Sequence, residues 1–199
     1  MFWVNLAVAV GTISAVFAAL FGKVVQAKLF PPALVLKLTD GSGEATRRQM
    51  QDGAFEQVRY YHVRVTNSRR WSPANEVQIV LLQVEEPGPD RELRVTWRGE
   101  MPLAWKHGQL FPLQRTIGSP AVADLCSVGE RAGLQLHLLV APFNLEVVWQ
   151  GASDFVLTLQ GRANEAESPV LRIRISWDGV WHPGEAEMRS HMVVQPWTE

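Results

Sequence analysis

The chain has 199 residues, of which 19 are basic and 20 acidic, for a formal net charge of −1 at neutral pH. That balance excludes a global electrostatic pull toward nucleic acid, and a lone cysteine, Cys126, excludes an intrachain disulfide. Hydrophobic residues make up 47% of the chain, enough for one ordinary core, while residues 33–199 are too few for two comfortable domains.

Residues 2–21 carry no charged side chain. As a helix this run would be about 30 Å long, the thickness of a bilayer's hydrocarbon core. The expectation is a transmembrane anchor over residues 1–22. A cleaved signal peptide is the alternative, since Val25-Gln26-Ala27 has small residues at peptidase spacing, but the run exceeds the roughly 7–15 residues of a signal-peptide core. A helix buried in a soluble core is the third reading, and the apolar circumference opposes it. Lys23, Lys28 and Lys37 follow the run and no lysine or arginine precedes it, so the positive-inside tendency places the rest of the chain in the cytoplasm. The expected location is a bacterial inner membrane, spanned once. Ala7, Gly11, Ala15 and Ala19 recur every fourth residue and form a stripe through which two such helices associate closely in lipid, giving a homo-oligomer or a seam for a larger membrane protein. An alanine-rich span also produces this spacing by chance.

Residues 23–32 read as a connector ending in Pro31-Pro32, a pair that stops a helix. The domain over 33–199 opens with a strand at 33–39, in which Leu34, Leu36 and Leu38 alternate with Val35 and Lys37, and continues into a polar loop at 40–53. In 57–67, Tyr61, Val63 and Val65 share one face and Tyr60, His62 and Arg64 the other, the period of a half-buried strand. The run 77–86 is apolar on both faces, as in a strand buried on both sides. These two strands, paired as a hairpin or across sheets, mark the centre of the core.

The segments Val63-Arg64-Val65-Thr66-Asn67, Pro73-Ala74 and Val77-Gln78-Ile79-Val80-Leu81 resemble the strand, turn and alternating-strand pattern of immunoglobulin-like β-sandwiches, including the CARDB-type modules of bacterial surface proteins. The resemblance implies architecture rather than chemistry. The chain departs from that pattern in carrying Arg69, Arg70 and Trp71 where such modules often have a short Gly-containing turn. Those modules also usually sit outside the cell, opposite to the side that the lysines indicate.

Farther on, 92–97 alternates as a strand, 101–120 is irregular but apolar enough to be tucked against the core, and 122–128 reads as a strand or a short helix. Alternation returns at 134–140, 155–160 and 171–177, and 188–194 is expected to be an edge strand. Seven to nine strands and no strong amphipathic helix predict an all-β fold: a single antiparallel immunoglobulin-like β-sandwich preceded by one transmembrane helix.

Motifs for chemistry are absent: no phosphate loop, zinc helix, Cys-x-x-Cys pair or nucleophile elbow is present. His62, His107, His137, His182 and His191 fall at spacings that indicate no metal site, His62 and His137 reading as surface residues and His182 with His191 as a weak pair across a hairpin. Cys126 with Asp124 and Ser127 is a candidate nucleophile, against which stands a buried apolar thiol. No cofactor is expected. Trp97, Trp105, Trp149 and Trp177 lie in apolar runs and read as core, whereas Trp71 and Trp181 lie in loops. Arg69, Arg70 and Trp71 form a basic aromatic loop suited to a protein partner or an anionic membrane surface. The expectation is a membrane-anchored, non-catalytic binding module engaging a protein through this loop, with an extracytoplasmic carbohydrate- or ligand-binding module as the alternative and an enzyme of unrecognised type as the third reading.

Overall fold

The computed structural model describes residues 2–50, 52–107 and 115–198; within the N-terminal helix, side chains are described at 3, 9–17, 19, 21, 22 and 29. The elements in chain order are α1 (Phe2–Leu29), β1 (Leu34–Leu38), β2 (Glu44–Gln49), β3 (Phe55–Asn67), β4 (Ala74–Pro87), β5 (Leu93–Pro102), β6 (Arg115–Ile117), β7 (Ala121–Gly129), β8 (Gly133–Leu136), β9 (Val148–Trp149), β10 (Ser153–Arg162), β11 (Leu171–Trp177), α2 (Glu185–His191) and β12 (Met192–Pro196). The strands form two antiparallel sheets. One has the order β1-β3-β7-β8-β9 with β2 also on β3, and the other has β12-β11-β10-β4-β5 with β6 on β4.

The period-two faces meet between the sheets. Tyr61, Val63 and Val65 of β3 and Leu125, Cys126 and Val128 of β7 are buried with Ile79 and Leu81 of β4, Phe155, Leu157 and Leu159 of β10, and Ile173 and Ile175 of β11. Each such large side chain contributes about 1.5–3 kcal/mol on burial. β3 and β4 are therefore a cross-sheet pair rather than a hairpin. β4 looked apolar on both faces because its register shifts between Leu81 and Gln83, which returns Val84 to the core, while Val80 is buried outside the core cluster. Trp97, Trp105 and Trp177 are buried and Trp149 packs against the core.

The expected transmembrane helix is corrected. α1 spans Phe2–Leu29. Among the described residues no helix is long and apolar enough to cross a membrane. Gly11, Ala15 and Ala19 of the small-residue stripe are exposed, and the side chain of Ala7 lies outside the described residues.

Four local expectations also change. The polar loop at 40–53 contains β2, a strand without apolar alternation because backbone pairing with β3, from Glu44 opposite Tyr60 to Gln49 opposite Phe55, holds it in place. Residues 122–128 are strand throughout, within β7. The expected edge strand at 188–194 is divided: residues through His191 belong to α2, where Glu185 and Glu187 in the first turn and Arg189 and His191 in the last complement the helix dipole, and β12 begins at Met192. Trp181 is half-buried against the core rather than free in its loop. Leu110, Phe111 and Leu113, expected to tuck against the core, lie outside the described residues.

One end of the sandwich is closed by backbone. Arg59, almost fully buried, donates from Nη1 to the carbonyls of Ser42 (3.1 Å) and Gly43 (3.2 Å) and from Nη2 to that of Pro183 (3.4 Å), tying the β1–β2 turn to the segment before α2. The same turn covers the free edge of β12: a Cβ at Gly41 would lie 2.7 Å from the Val194 carbonyl oxygen. Only glycine permits that approach. Gly41→Val should lower stability by about 1–3 kcal/mol, read as a shift in the urea midpoint at unchanged slope. An unshifted midpoint would mean that the turn does not seal this edge.

Candidate functional site

At the opposite end, β3 leaves one sheet and β4 enters the other, and residues 68–73 bridge the gap. The Asn67 side chain, 7% exposed, organises this crossing. Its Oδ1 accepts from the backbone N–H of Ala33 (3.1 Å) and of Arg69 (3.1 Å), and its Nδ2 donates to the Ser72 carbonyl (2.6 Å). A tight turn closes beneath it, with Ser72 N donating to Arg69 O at 3.0 Å, and Ser68 N donates to Ala33 O at 2.9 Å. Short polar side chains favour such local bonding to backbone.

This clamp sets the positions of the three residues the sequence singled out. Arg69 turns back, its Nη1 donating to the Pro31 carbonyl at 2.9 Å, so it fastens the loop to the chain leaving α1. Arg70 is exposed, and Trp71 is 64% exposed. Leu29 and Phe30 are exposed on the segment that Arg69 grips. The loop thus presents one indole and one guanidinium on a backbone fixed from three sides. Arg69 is a positioning residue here rather than a contact residue.

A second polar group lies on the outer face of the β3–β7 sheet. His62 is 7% exposed; its Nδ1 lies 3.0 Å from Asp124 Oδ1 and its Nε2 3.4 Å from Glu44 Oε2, close approaches that are not aligned as hydrogen bonds. Lys106 is paired with the same Glu44 oxygen. His137 Nε2 and Ser127 Oγ are 2.8 Å apart, and the Tyr60 ring stacks with both histidines, 5.1 Å from His137 and 6.2 Å from His62. The histidines are therefore not the plain surface residues expected. Alternation placed them on the polar face but could not show that the Glu44 side chain, paired with Lys106, lies against His62 there.

The Cys126 nucleophile idea loses its geometry. The thiol is completely buried, and burial pushes it far above the ordinary range. Its neighbours in sequence face elsewhere, Asp124 toward His62 and Ser127 toward His137. A register shift at Tyr61/His62 separates these directions. His182 and His191 meet different groups: His191 Nδ1 lies 2.7 Å from Asp178 Oδ2, and His182 Nδ1 accepts from Gly184 N at 3.1 Å. Among the described residues no group of three or more His, Cys, Asp or Glu side chains is placed to hold a metal ion.

Glu56 is a buried carboxylate that the sequence pattern does not mark. Its Oε1 accepts from the backbone N–H groups of Arg131 and Ala132 and its Oε2 from Arg48, so it ties down the turn between β7 and β8. Its only sequence signal was a charge at the edge of an alternating run.

With this geometry in view, comparison with known proteins adds no kinship: no protein family matches the chain, and no curated protein resembles it. The protein is a two-sheet antiparallel β-sandwich, compatible with an immunoglobulin-like domain, that presents an anchored aromatic loop at one end.

Burial pushes the His137 imidazole down to about 4; the nearby Arg48 and His62 charges act in the same direction and Asp124 opposes them. The unfolded chain takes up this proton near its ordinary value of 6.5, so the folded state loses stability as pH falls from about 6.5 to about 4, by at most about 3 kcal/mol. His137→Gln should flatten that part of the unfolding profile. Equal slopes in the two proteins over this window would contradict the assignment.

Proposed function

We propose that the chain is an immunoglobulin-like sandwich that acts by binding, engaging a protein partner through the β3–β4 loop with Trp71 and Arg70 as its contacts. The strand orders support the immunoglobulin-like reading: β5-β4-β10-β11 in one sheet faces β1-β3-β7 in the other, and the chain crosses between sheets at β3–β4. The observation that carries the function is the exposed indole on a clamped backbone. Tryptophan and arginine dominate binding hot spots, and a loop already held in one conformation loses little freedom when it docks. Asn67 and Arg69 supply that order in advance, through bonds to Ala33, Ser72 and Pro31.

The test is a photo-crosslinking amino acid placed at position 71 of the full chain in cells, with position 98 on β5 as a control. Arg98 is exposed and, among the described residues, bonds to Gln83 beside it. A discrete protein adduct at position 71, absent at position 98 and lost on adding Arg70→Ala, is expected. The same adducts at both positions, or none at 71, would remove the loop from the account.

A further inference from the structure

The flank between β8 and β9 carries a second exposed apolar surface. Residues 137–147 run along β5, fixed by Leu139 N donating to Pro102 O (2.8 Å) and Trp97 Nε1 donating to Asn144 Oδ1 (3.2 Å). Leu138, Leu145 and Val147 pack inward against the core, while Leu139 (46% exposed), Val140 (64%) and the fully exposed Phe143 point away from it. Glu146 follows on the same segment, near enough to Glu86 for their charges to repel. Among the described residues neither carboxylate has a hydrogen bond or an ion pair. The flank is thus an apolar surface with two carboxylates on its rim, Arg94 opposite Glu86 being held by Asp90, and an apolar side chain beside a cation would complement it.

The chain itself carries that combination. The β3–β4 loop presents Trp71 at 64% exposure next to Arg70, which is exposed and makes no ion pair among the described residues. We infer that the partner of this loop is a second copy of the chain, and that the loop seats on the flank formed by Leu139, Val140, Phe143 and Glu146. The inference rests on the binding function proposed above and names its partner. The two surfaces are different parts of the molecule, so the contact is heterologous: each copy offers one loop and one flank, and association continues unless a ring closes.

The experiment is sedimentation velocity of the full chain over a range of concentration and salt, with Trp71→Ala and Phe143→Ser alone and mixed. Both substitutions are at exposed sites, and equal thermal midpoints confirm folding. α1 is identical in every variant, so association through it cannot separate them. The expected result is self-association that weakens with salt and falls by about tenfold or more in each variant alone. An equimolar mixture should form dimers and nothing larger, because one intact loop then meets one intact flank. The charge reversal Arg70→Glu should weaken association, and Glu146→Arg in the same chain should restore it. Association untouched by either variant, or a mixture that forms no dimer, would overturn the second-copy partner. If the mixture fails while the position-71 adduct to another protein persists, the binding loop stands and only its assignment to a second copy falls.

Discussion

The crossing of the chain from one sheet to the other is the constraint on which the rest of the architecture depends. β3 and β4 each contribute several core side chains, yet they lie in opposite sheets, and packed sheets stand about 10 Å apart. The connection between them must turn, leave the ladders of both sheets and still satisfy its backbone groups. Asn67 meets that requirement with one side chain, replacing the missing ladder bonds of Ala33, Arg69 and Ser72. Once the crossing is fixed, the start of β1, the exit from α1 and the indole of Trp71 are positioned with it. The fold and the proposed contact surface therefore share one cause.

The same device, a buried polar side chain that bonds to several backbone groups, recurs elsewhere. Arg59 binds carbonyls at the opposite end, and Glu56 binds N–H groups at the β7–β8 turn. Arg59 holds two loops together, and Glu56 holds the β7–β8 turn against β3. The apolar interior holds the sheets face to face, and these polar residues hold the ends. That division of roles explains how a sandwich with several short strands keeps defined loops.

Strands with one apolar face were legible from sequence, because side-chain alternation and burial have the same period: Tyr61, Val63 and Val65 were assigned to the core from spacing alone and are there. β2 was not legible, since Glu44, Ala45, Thr46, Arg47, Arg48 and Gln49 are nearly all exposed and their order comes from β3. α2 was hidden because Met188, Met192 and Val194 suit a strand as well as a helical turn followed by one. The N-terminal run reads as a membrane span because composition registers apolarity alone, whereas among the described residues no helix is long and apolar enough to cross a membrane. Within the site, Arg69, Arg70 and Trp71 stood out by residue type. The distinction between them, with Arg69 turned inward to Pro31 and Arg70 outward, required the position of a connector with no signal beyond two prolines.

The most direct test of this account is amide hydrogen exchange on the Asn67→Ala chain. If the Asn67 side chain holds the crossing, exchange should speed up together at Ala33 and Arg69, whose N–H groups it accepts, while Val63 and Val65 in the body of β3 stay protected. Unchanged exchange at Arg69, or equal loss of protection along the whole of β3, would contradict it.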